Sequence, residues 1–462
     1  MRQLRIHPAQ SLLSLLPNSL SGVAQRSRVP MSTLLRQRLE TLAPQWQQQL
    51  HTLLSQHGNT PIADIRIEQV IGGMRGVPAL LCETSLVIPT EGLRIRNIPI
   101  TEIADRTPEA IFWLLCTGEL PTAEEHDSLR QALAERATVP EYVWNVLHAL
   151  PRDAHPMAML SLGLLAMEQE SAFRRAFEEG ASRGELWKAL LEDCLTLLGR
   201  ITTLAAGIYR IRFSNADPIL PDLGLDWASN FARMLGLPDP TGQFRDLVRL
   251  YLVLHSDHEG GNVSALTGYT VASALSDPFY ALSAGLNGLA GPLHGLANQE
   301  CLRFLLQTLE ALGPQPSDDV LEQYVWNWIT SGHVIPGYGH AVLRVTDPRF
   351  TIFRQFAERY HLQHELIALV NQLFQIVPRV LQRHGKAKNP WPNVDAISGS
   401  LLYIYGMREF EFYTVMFGVS RALGICAQIL VHRILGTPIM RPKSLTLQEL
   451  EQMARSTVAS HT

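Results

Sequence analysis

The sequence predicts an all-α protein, and three features of its apolar pattern support that fold class. Apolar residues recur at spacings of three and four between the 32 glycines and 28 prolines that interrupt the chain, as they do along one face of a helix. Only short segments, such as residues 65–70 and 93–98, have the composition of strands. The chain also lacks the alternation of strands and helices that builds a parallel sheet.

Seven segments carry the helical pattern most clearly along the chain. They are residues 31–57, 107–117, 158–167, 244–255, 322–331, 364–384 and 412–435. The last contains the longest apolar run, residues 412–431, which is long enough to cross a membrane. Because Arg421 lies near the middle of this run and its ends carry no anchoring pattern, we interpret it as a buried core helix.

The composition describes a compact globular protein rather than a disordered one. The 462 residues are 46% hydrophobic and 18% charged, below the usual charged share of about 25%. A formal net charge of -4 provides no basic field for nucleic acid or an anionic membrane. The five cysteines show neither close pairing nor metal-ligand spacing, so we expect reduced, mostly buried thiols in an intracellular protein.

The N-terminal segment has two interpretations. Residues 1–39 contain six arginines, six serines and no acidic residue, a composition typical of a mitochondrial transit peptide. Arginine outnumbers lysine 35 to 4 in the whole chain, however, and Met31 is an equally good start for a bacterial protein. Residues 1–30 are therefore expected to be a transit peptide or a non-native extension, and the compartment to be the mitochondrial matrix or the bacterial cytoplasm.

Polar residues gather among glycines and prolines in four segments, a composition that suits functional turns better than packing. These segments are residues 255–262, 291–298, 336–340 and 390–395. Neither a dinucleotide fingerprint nor a P-loop is present, because Gly337-Tyr338-Gly339 and Gly385-Lys386 each lack the rest of those motifs.

His294 is a candidate electrophile. Pro292 is well placed as the first residue of a helix, which would put His294 in the first turn, near the positive end of the helix dipole. An imidazole resists protonation there, and a neutral histidine that donates a hydrogen bond suits a carbonyl that must become an enolate or enol. A capping or core histidine is the alternative.

His340 and Asp395 are further candidates for acid–base chemistry. His340 follows two glycines, so that the backbone can approach a ligand closely, and we expect a second electrophilic histidine there. Asp395 follows Pro390 and Pro392 and precedes an apolar helix. Its carboxylate is either a general base in a fixed direction or an ordinary acidic residue at a helix N-terminus.

Arg421 is an anomaly in an apolar helix, because a buried guanidinium without a partner costs several kcal/mol. An anion must face it, either a distant internal acid or the carboxylate of a ligand. Arg441 lies near the C-terminus and by default belongs to an exposed loop. Three of the four lysines, Lys386, Lys388 and Lys443, occur in two suspected functional turns, consistent with contacts to phosphates.

Together these segments resemble citrate synthases of the eukaryotic type, in order and spacing, from about Gly72 to Ser444. The resemblance rests on residues 256–265, 287–300, 336–344, 385–395 and 441–444. It implies a helical homodimer with a large domain formed by residues 31–295 and 407–462 and a small domain of residues 296–406. The active site would then lie in the cleft between the domains, which closes over oxaloacetate.

The resemblance also implies a role for each matched residue. Asp395 would remove a methyl proton from acetyl-CoA, His294 would stabilise the enol, and His340 would polarise the ketone of oxaloacetate. The carboxylates of oxaloacetate would be held by His258, Arg349, Arg421 and, from the partner subunit, Arg441. Coenzyme A would be bound by Arg75, Arg183, Gly337, Tyr338, Arg344, Lys386, Ala387, Lys388 and Asn393.

The implied reaction is the condensation of acetyl-CoA, oxaloacetate and water to citrate and CoA, an acyl transfer without metal or permanently bound cofactor. Ile397 and Leu266 stand where animal relatives are expected to have histidine. These two differences leave undetermined which acyl chain the enzyme prefers. A 2-methylcitrate synthase that uses propionyl-CoA is the nearest alternative, since one methylene is worth only about 1–3 kcal/mol. Other classes are a metallohydrolase built on residues 255–259 and a helical binding protein that has lost catalysis.

Overall fold

Twenty α-helices and one small antiparallel sheet make up residues 33–459, the part of the chain that this computed structural model describes, with side chains described through residue 456. The first ten helices are α1 Leu34–His57, α2 Ile67–Ile71, α3 Ile100–Ile103, α4 Pro108–Thr117, α5 Ala123–Glu135, α6 Glu141–His148, α7 Pro156–Ala166, α8 Ala172–Glu178, α9 Leu186–Tyr209 and α10 Trp227–Leu235. The other ten are α11 Gln243–Leu254, α12 Val263–Ser273, α13 Pro278–Leu289, α14 Ala297–Leu312, α15 Asp318–Thr330, α16 Pro348–Arg359, α17 Glu365–His384, α18 Asp395–Ile404, α19 Tyr413–Leu435 and α20 Leu447–Ala459.

The sheet has the order β1-β2-β3, with β1 Ser85–Ile88, β2 Gly92–Ile95 and β3 Ile98–Pro99. β1 and β2 form a hairpin in which Ser85 pairs with Ile95 and Ile88 with Gly92. The strand predicted at 93–98 is therefore split between β2 and β3, because Arg96 adopts a left-handed conformation between them, with φ 54°.

The all-α fold class is confirmed, and each of the seven predicted helices is present with its ends shifted by a few residues. Caps explain several ends: α4 begins where Thr107 Oγ1 accepts from the Ala110 N–H and ends at left-handed Gly118. The strand predicted at 65–70 is wrong, because this segment forms α2. The Arg66 N–H donates to Gln69 Oε1 at 3.0 Å, a contact that begins a helix, and no strand lies beside it among the described residues.

α19 lies at the centre of the core, packed against α4, α9, α12 and α13. The prediction of a buried core helix is confirmed, since 94% of the most apolar stretch of residues 410–435 is buried. A glycine is required at position 424, because a Cβ there would lie 2.5 Å from the Ser256 carbonyl oxygen. This close approach brings α19 against the segment between α11 and α12.

A second group of helices, α14 to α18, packs largely on itself and meets the first group where α16 contacts α3 and α18 contacts α11. Four cysteines are buried and Cys82 is half-buried, all of them free thiols. The predicted N-terminal extension, residues 1–30, and the alternative start Met31 lie outside the described residues. The predicted domain boundaries stay a prediction.

Candidate active site

The four polar segments of the sequence lie in turns that meet beside α19. Residues 255–262 connect α11 to α12, residues 291–295 connect α13 to α14, and residues 336–340 lie between α15 and α16. The fourth segment leads directly into α18. All four are far apart along the chain, so only the packing of the helices assembles them.

His294 lies in a turn rather than in the first turn of a helix, which corrects the prediction, because α14 begins only at Ala297. Its environment nevertheless includes a helix N-terminus, that of α12. The Ser264 N–H, in the first turn of α12, donates to His294 Nε2 at 3.3 Å, and Ser264 Oγ lies 2.9 Å from the same nitrogen. An acceptor Nε2 leaves the proton on Nδ1, available to a ligand. Burial, and then the charge of Arg421, lowers the pKa of His294 to about 4.

His340 is held in the opposite tautomer. Its Nδ1 accepts hydrogen bonds from the Val342 N–H at 3.0 Å and the Leu343 N–H at 2.9 Å, so Nε2 carries the proton. Burial, and then the neighbouring Arg349, lowers the pKa of His340 to about 4. His340 is therefore a neutral donor at physiological pH, and its ring centroid lies 5.4 Å from that of His258.

Asp395 is brought to this site by backbone pairing between two of the polar turns. The Gly339 N–H donates to the Trp391 carbonyl at 3.0 Å, the Asn393 N–H donates to the Gly337 carbonyl at 2.9 Å, and Asn393 Nδ2 donates to the Gly339 carbonyl at 3.0 Å. Gly337 is required, because a Cβ there would lie 2.8 Å from Ala396 Cα. The pairing fixes Asp395, at the start of α18, relative to His340.

The carboxyl group of Asp395 has a raised pKa. Burial raises it to about 6, against the opposing charge of Arg349. A carboxylate with this pKa is ionised at neutral pH and is a stronger base than an exposed aspartate.

Arg349 and His258 both lie near His340. Arg349 is buried and paired with the buried Asp347, whose Oδ2 accepts from Nη2 at 2.7 Å and whose Oδ1 accepts from Nε at 3.1 Å. His258 Nε2 is buried and has no hydrogen-bond partner among the described residues. A ligand with acceptor or donor groups could therefore satisfy His258. Arg349 contacts its internal carboxylate through Nε and Nη2, which leaves Nη1 for a ligand.

Arg421 differs from Arg349 in the partners of its guanidinium group. Its Nε donates to the His255 carbonyl and its Nη1 to Asn262 Oδ1, both at 3.2 Å, and its guanidinium lies 4.8 Å from the centroid of the Phe417 ring. No carboxylate of the described residues lies within ion-pair distance of it. The charge is buried and lacks a direct ion pair, as expected for an arginine that receives an anionic ligand.

The arrangement can support proton abstraction next to a carbonyl group. It combines a base of raised pKa, two neutral histidines that donate from opposite tautomers, and two buried guanidinium groups. Donors that are fixed in advance stabilise an oxyanion without the cost of reorganising water.

A cavity of about 620 Å³ opens beside His340. Its lining includes predicted coenzyme A residues from two turns, namely Tyr338, Lys386, Ala387 and Lys388. Gly337 and Asn393 belong to the paired backbone behind it.

Three predicted binding arginines, Arg75, Arg183 and Arg441, are not brought into this cluster within one chain. Arg75 and Arg183 lie on exposed turns. Arg344 directs its Nη1 to the carbonyl groups of residues 341–343, and its charge is close enough to His340 to help lower the pKa of that histidine. Arg441 is exposed next to Met440, whose N–H donates to Ser273 at the far end of α12. Since α12 has 11 residues, this end lies about 16 Å from the end that carries Ser264.

Three residues of the site were not identified from the sequence: Asn262, Ser264 and Asp347. Asn262 caps α12, Asp347 caps α16, and each also contacts an arginine of the site. Asn and Asp before an apolar helix are recognisable as N-caps. The second partner of Asp347 is only two residues away, whereas the second partner of Asn262 is 159 residues away and depends on the tertiary structure.

The residues proposed for a metallohydrolase do not converge. His255 Nδ1 bonds to the Tyr251 carbonyl at 3.0 Å, and Glu259 Oε1 accepts from the Val87 N–H at 2.8 Å. In the described part of the chain, no three His, Cys, Asp or Glu side chains are arranged to hold a metal ion.

Comparisons with known proteins show the family of the chain. Residues 73–443 match the family model described as citrate synthase, C-terminal domain. The chain is 46% identical over 457 residues to mitochondrial citrate synthase 4 of Arabidopsis thaliana, covering 97% of this chain and 95% of that protein. It is 46% identical over 427 residues to mitochondrial citrate synthase of Daucus carota, covering 90% of each. The crystal structure of citrate synthase from Pyrobaculum aerophilum superposes with a TM-score of 0.72 at 29% identity, covering 82% of this chain and 92% of that one.

Proposed function

This chain belongs to the citrate synthase family, and from that premise we propose that it condenses acetyl-CoA with oxaloacetate and water to give citrate and CoA. It is an acyltransferase in which the acyl group becomes an alkyl group. The observation that supports the assignment is a buried aspartate of raised pKa, Asp395, together with two buried histidines, His294 and His340, that stay neutral.

In the first step, Asp395 removes a proton from the methyl group of acetyl-CoA. The negative charge develops on the thioester oxygen, and the N–H at Nδ1 of His294 donates to that oxygen. Because His294 is neutral, it introduces no net positive charge: its Nδ1 proton is shared with the oxyanion in a hydrogen bond, and transfer of that proton to the oxygen gives the enol. The raised pKa of Asp395 reduces the difference between its own pKa and that of the acetyl-CoA methyl group, so the proton transfer is less unfavourable.

In the second step, the enol carbon attacks the ketone of oxaloacetate. His340 donates from Nε2 to the ketone oxygen and transfers its proton there as the new carbon–carbon bond forms. Arg421, Arg349 and His258 hold the two carboxylates and fix the ketone for attack. Water then cleaves the thioester of citryl-CoA, which releases citrate and CoA.

The cavity beside His340 is the proposed site for coenzyme A. Lys386 and Lys388 would face its phosphates, and the backbone at Gly337, Tyr338 and Ala387 allows close approach. Arg75, Arg183, Arg344 and Asn393 complete the proposed coenzyme A set.

We further propose that the protein is a homodimer whose sites are shared, with Arg441 of each subunit reaching the oxaloacetate of the other. The exposed position of Arg441, at the far end of α12 from its own site, supports this assignment. The large domain would comprise residues 31–295 and 407–462, and the small domain residues 296–406, with the cleft between them closing over oxaloacetate.

The mitochondrial matrix is the proposed location. Both plant relatives carry mitochondrial names, and residues 1–30, with four arginines and no acidic residue, fit a transit peptide. The bacterial cytoplasm has no support among these relatives.

A thiol-release assay in the presence of oxaloacetate tests the function directly. Acetyl-CoA is expected to give a larger kcat/KM than propionyl-CoA, and EDTA to have no effect. A larger kcat/KM for propionyl-CoA would assign the chain to 2-methylcitrate synthesis. Loss of activity in EDTA with stoichiometric bound zinc would favour a metal-dependent reaction.

A further inference from the structure

A buried carboxylate that the reaction does not use, Asp257, stands next to His258. Its side chain has no exposed surface. Oδ2 accepts hydrogen bonds from Thr84 Oγ1 at 2.5 Å and from Ser85 Oγ at 2.8 Å, and Oδ1 accepts one from Gln428 Nε2 at 2.8 Å. The three donors are Ser85 in β1, Thr84 just before β1, and Gln428 in α19. Moving the buried carboxylate would break these hydrogen bonds, which costs free energy.

The backbone on both sides of His258 is anchored to the same two elements. The Gly424 N–H donates to the Ser256 carbonyl at 3.0 Å, and a Cβ on Gly424 would lie 2.5 Å from Asp257 Oδ1. After His258, the Glu259 N–H donates to Ser85 Oγ at 2.7 Å, and Gln428 Nε2 donates to the Glu259 carbonyl at 3.1 Å. His258 therefore lies between two residues that the core holds in place.

Asp257 and Arg421 also act on each other electrostatically. Burial lowers the pKa of Arg421 and raises the pKa of Asp257, and the charge of each group opposes the effect of burial on the other. The two groups form no direct ion pair within 4.0 Å in the described structure. Asp257 can thus support the buried guanidinium charge while leaving it free to bind an anion.

We propose that Asp257 is a positioning residue for oxaloacetate: held by Thr84, Ser85 and Gln428, it keeps His258 and Arg421 in the geometry that receives the substrate carboxylates. This inference rests on the proposed function, because it names what supports the proposed oxaloacetate site. His258 and Arg421 hold carboxylates that are present before and during the reaction, so displacing them weakens ground-state and transition-state binding together. Such a loss raises KM and leaves kcat nearly unchanged.

The test removes the two hydroxyl donors without touching a residue of the site. In the double variant Thr84→Val with Ser85→Ala, the KM for oxaloacetate is expected to rise about tenfold or more, as small displacements of binding groups do. The kcat and the KM for acetyl-CoA at saturating oxaloacetate should change less than about threefold. Asp257→Asn should show the same pattern, and Thr84→Ser, which keeps the hydroxyl group, should match the wild type.

Thr308→Val is the matched control. Thr308 is fully buried and donates from Oγ1 to the Phe304 carbonyl at 2.7 Å, so its replacement also removes a buried hydroxyl group. It should leave both KM values unchanged. The rise in thermal midpoint with added oxaloacetate provides a readout independent of turnover, and it should shrink in the double variant but not in the control.

The proposal is wrong if the double variant folds and binds oxaloacetate like the wild type, or if kcat falls as much as kcat/KM. Should Asp257→Asn fail to fold, the hydroxyl variants decide the matter. Failure of the proposed function looks different, because the wild type itself would then release no thiol from acetyl-CoA with oxaloacetate.

Discussion

Burial moves the pKa values of the three proposed catalytic side chains in directions that favour enolisation. It lowers the pKa of His294 and of His340 to about 4 and raises that of Asp395 to about 6. The histidines therefore stay neutral donors, while the aspartate becomes a stronger base that is still ionised at neutral pH. One physical cause thus produces opposite shifts, because burial disfavours the charged form of each group.

The pH dependence of the reaction should follow Asp395. Only its ionised form accepts a proton, so kcat/KM for acetyl-CoA should fall as the pH drops through about 6. Both histidines are expected to remain neutral throughout the range from about 5 to 9, which NMR of labelled imidazoles would follow. Imidazole resonances that titrate together with the activity would contradict this assignment.

Asp395→Asn removes the base and keeps the shape of the side chain. We expect kcat to fall by about 10²- to 10⁴-fold, the range for a lost general base, with nearly unchanged binding of oxaloacetate. Burial favours the protonated carboxyl group, so protonated Asp395 is compatible with folding whereas the ionised form destabilises the fold. The stability that protonation provides is therefore lost as the pH rises through about 6. The thermal midpoint of the variant at pH 8 should therefore exceed that of the wild type. A loss of less than tenfold in kcat would show that Asp395 is not the general base but an ordinary acidic residue at a helix N-terminus.

Among the secondary-structure elements, the hairpin of β1 and β2 contacts both sides of the site. β1 holds the segment that carries His258, through Ser85 and the Val87 N–H. The turn of the hairpin contacts the segment that leads into α16, where the Arg344 N–H donates to the Pro89 carbonyl at 2.8 Å. A small element of three short strands thereby connects the proposed oxaloacetate residues of both groups of helices.

Gly92→Ala tests that connection. Gly92 has φ 101°, and a Cβ there would lie 2.5 Å from Cγ of Pro348, the residue before Arg349. The rigid proline ring cannot yield like a flexible side chain, so the turn should shift and the KM for oxaloacetate should rise by about tenfold.

Gly118→Ala is the control for backbone strain alone. Gly118 has φ 87°, and nothing lies within 4 Å of the added Cβ. Both variants should lose about 1–2 kcal/mol from the left-handed conformation, measured by denaturant unfolding. Equal KM values for oxaloacetate in the two variants would show that the hairpin turn does not influence the site.

For the whole molecule, the central prediction is a site shared between subunits. Arg441→Ala and His294→Ala, each inactive alone, are mixed and allowed to exchange subunits. About half of the dimers should be mixed, and in each the site with a sound His294 receives a sound Arg441 from its partner, so about a quarter of all sites should work. If mass spectrometry verifies exchange and activity does not recover, Arg441 does not act in the neighbouring subunit.

Much of the fold and of the site could be predicted from the sequence, because both leave local patterns. Helical periodicity and caps located α4 and α19 to within a few residues, and Arg421 was identified because a charge in an apolar helix has no local explanation. The segment 65–70 was predicted as a strand because its apolar residues are few and their period is ambiguous over so short a length. His294 was predicted in the first turn of a helix but lies in a turn before α14, because a proline such as Pro292 suits a helix start and a turn equally well.

The sequence by itself determined the all-α class, the buried central helix and the chemistry of the polar turns, since each follows from residue type and spacing over a few neighbours. Only the tertiary structure decided that Arg421 has no direct carboxylate partner among the described residues and donates to the His255 carbonyl, and that Ser264 at the N-terminus of α12 donates to His294. The first contact joins residues 166 positions apart and the second joins residues 30 positions apart. Their energies depend on burial and on distances across the core, which no local pattern records.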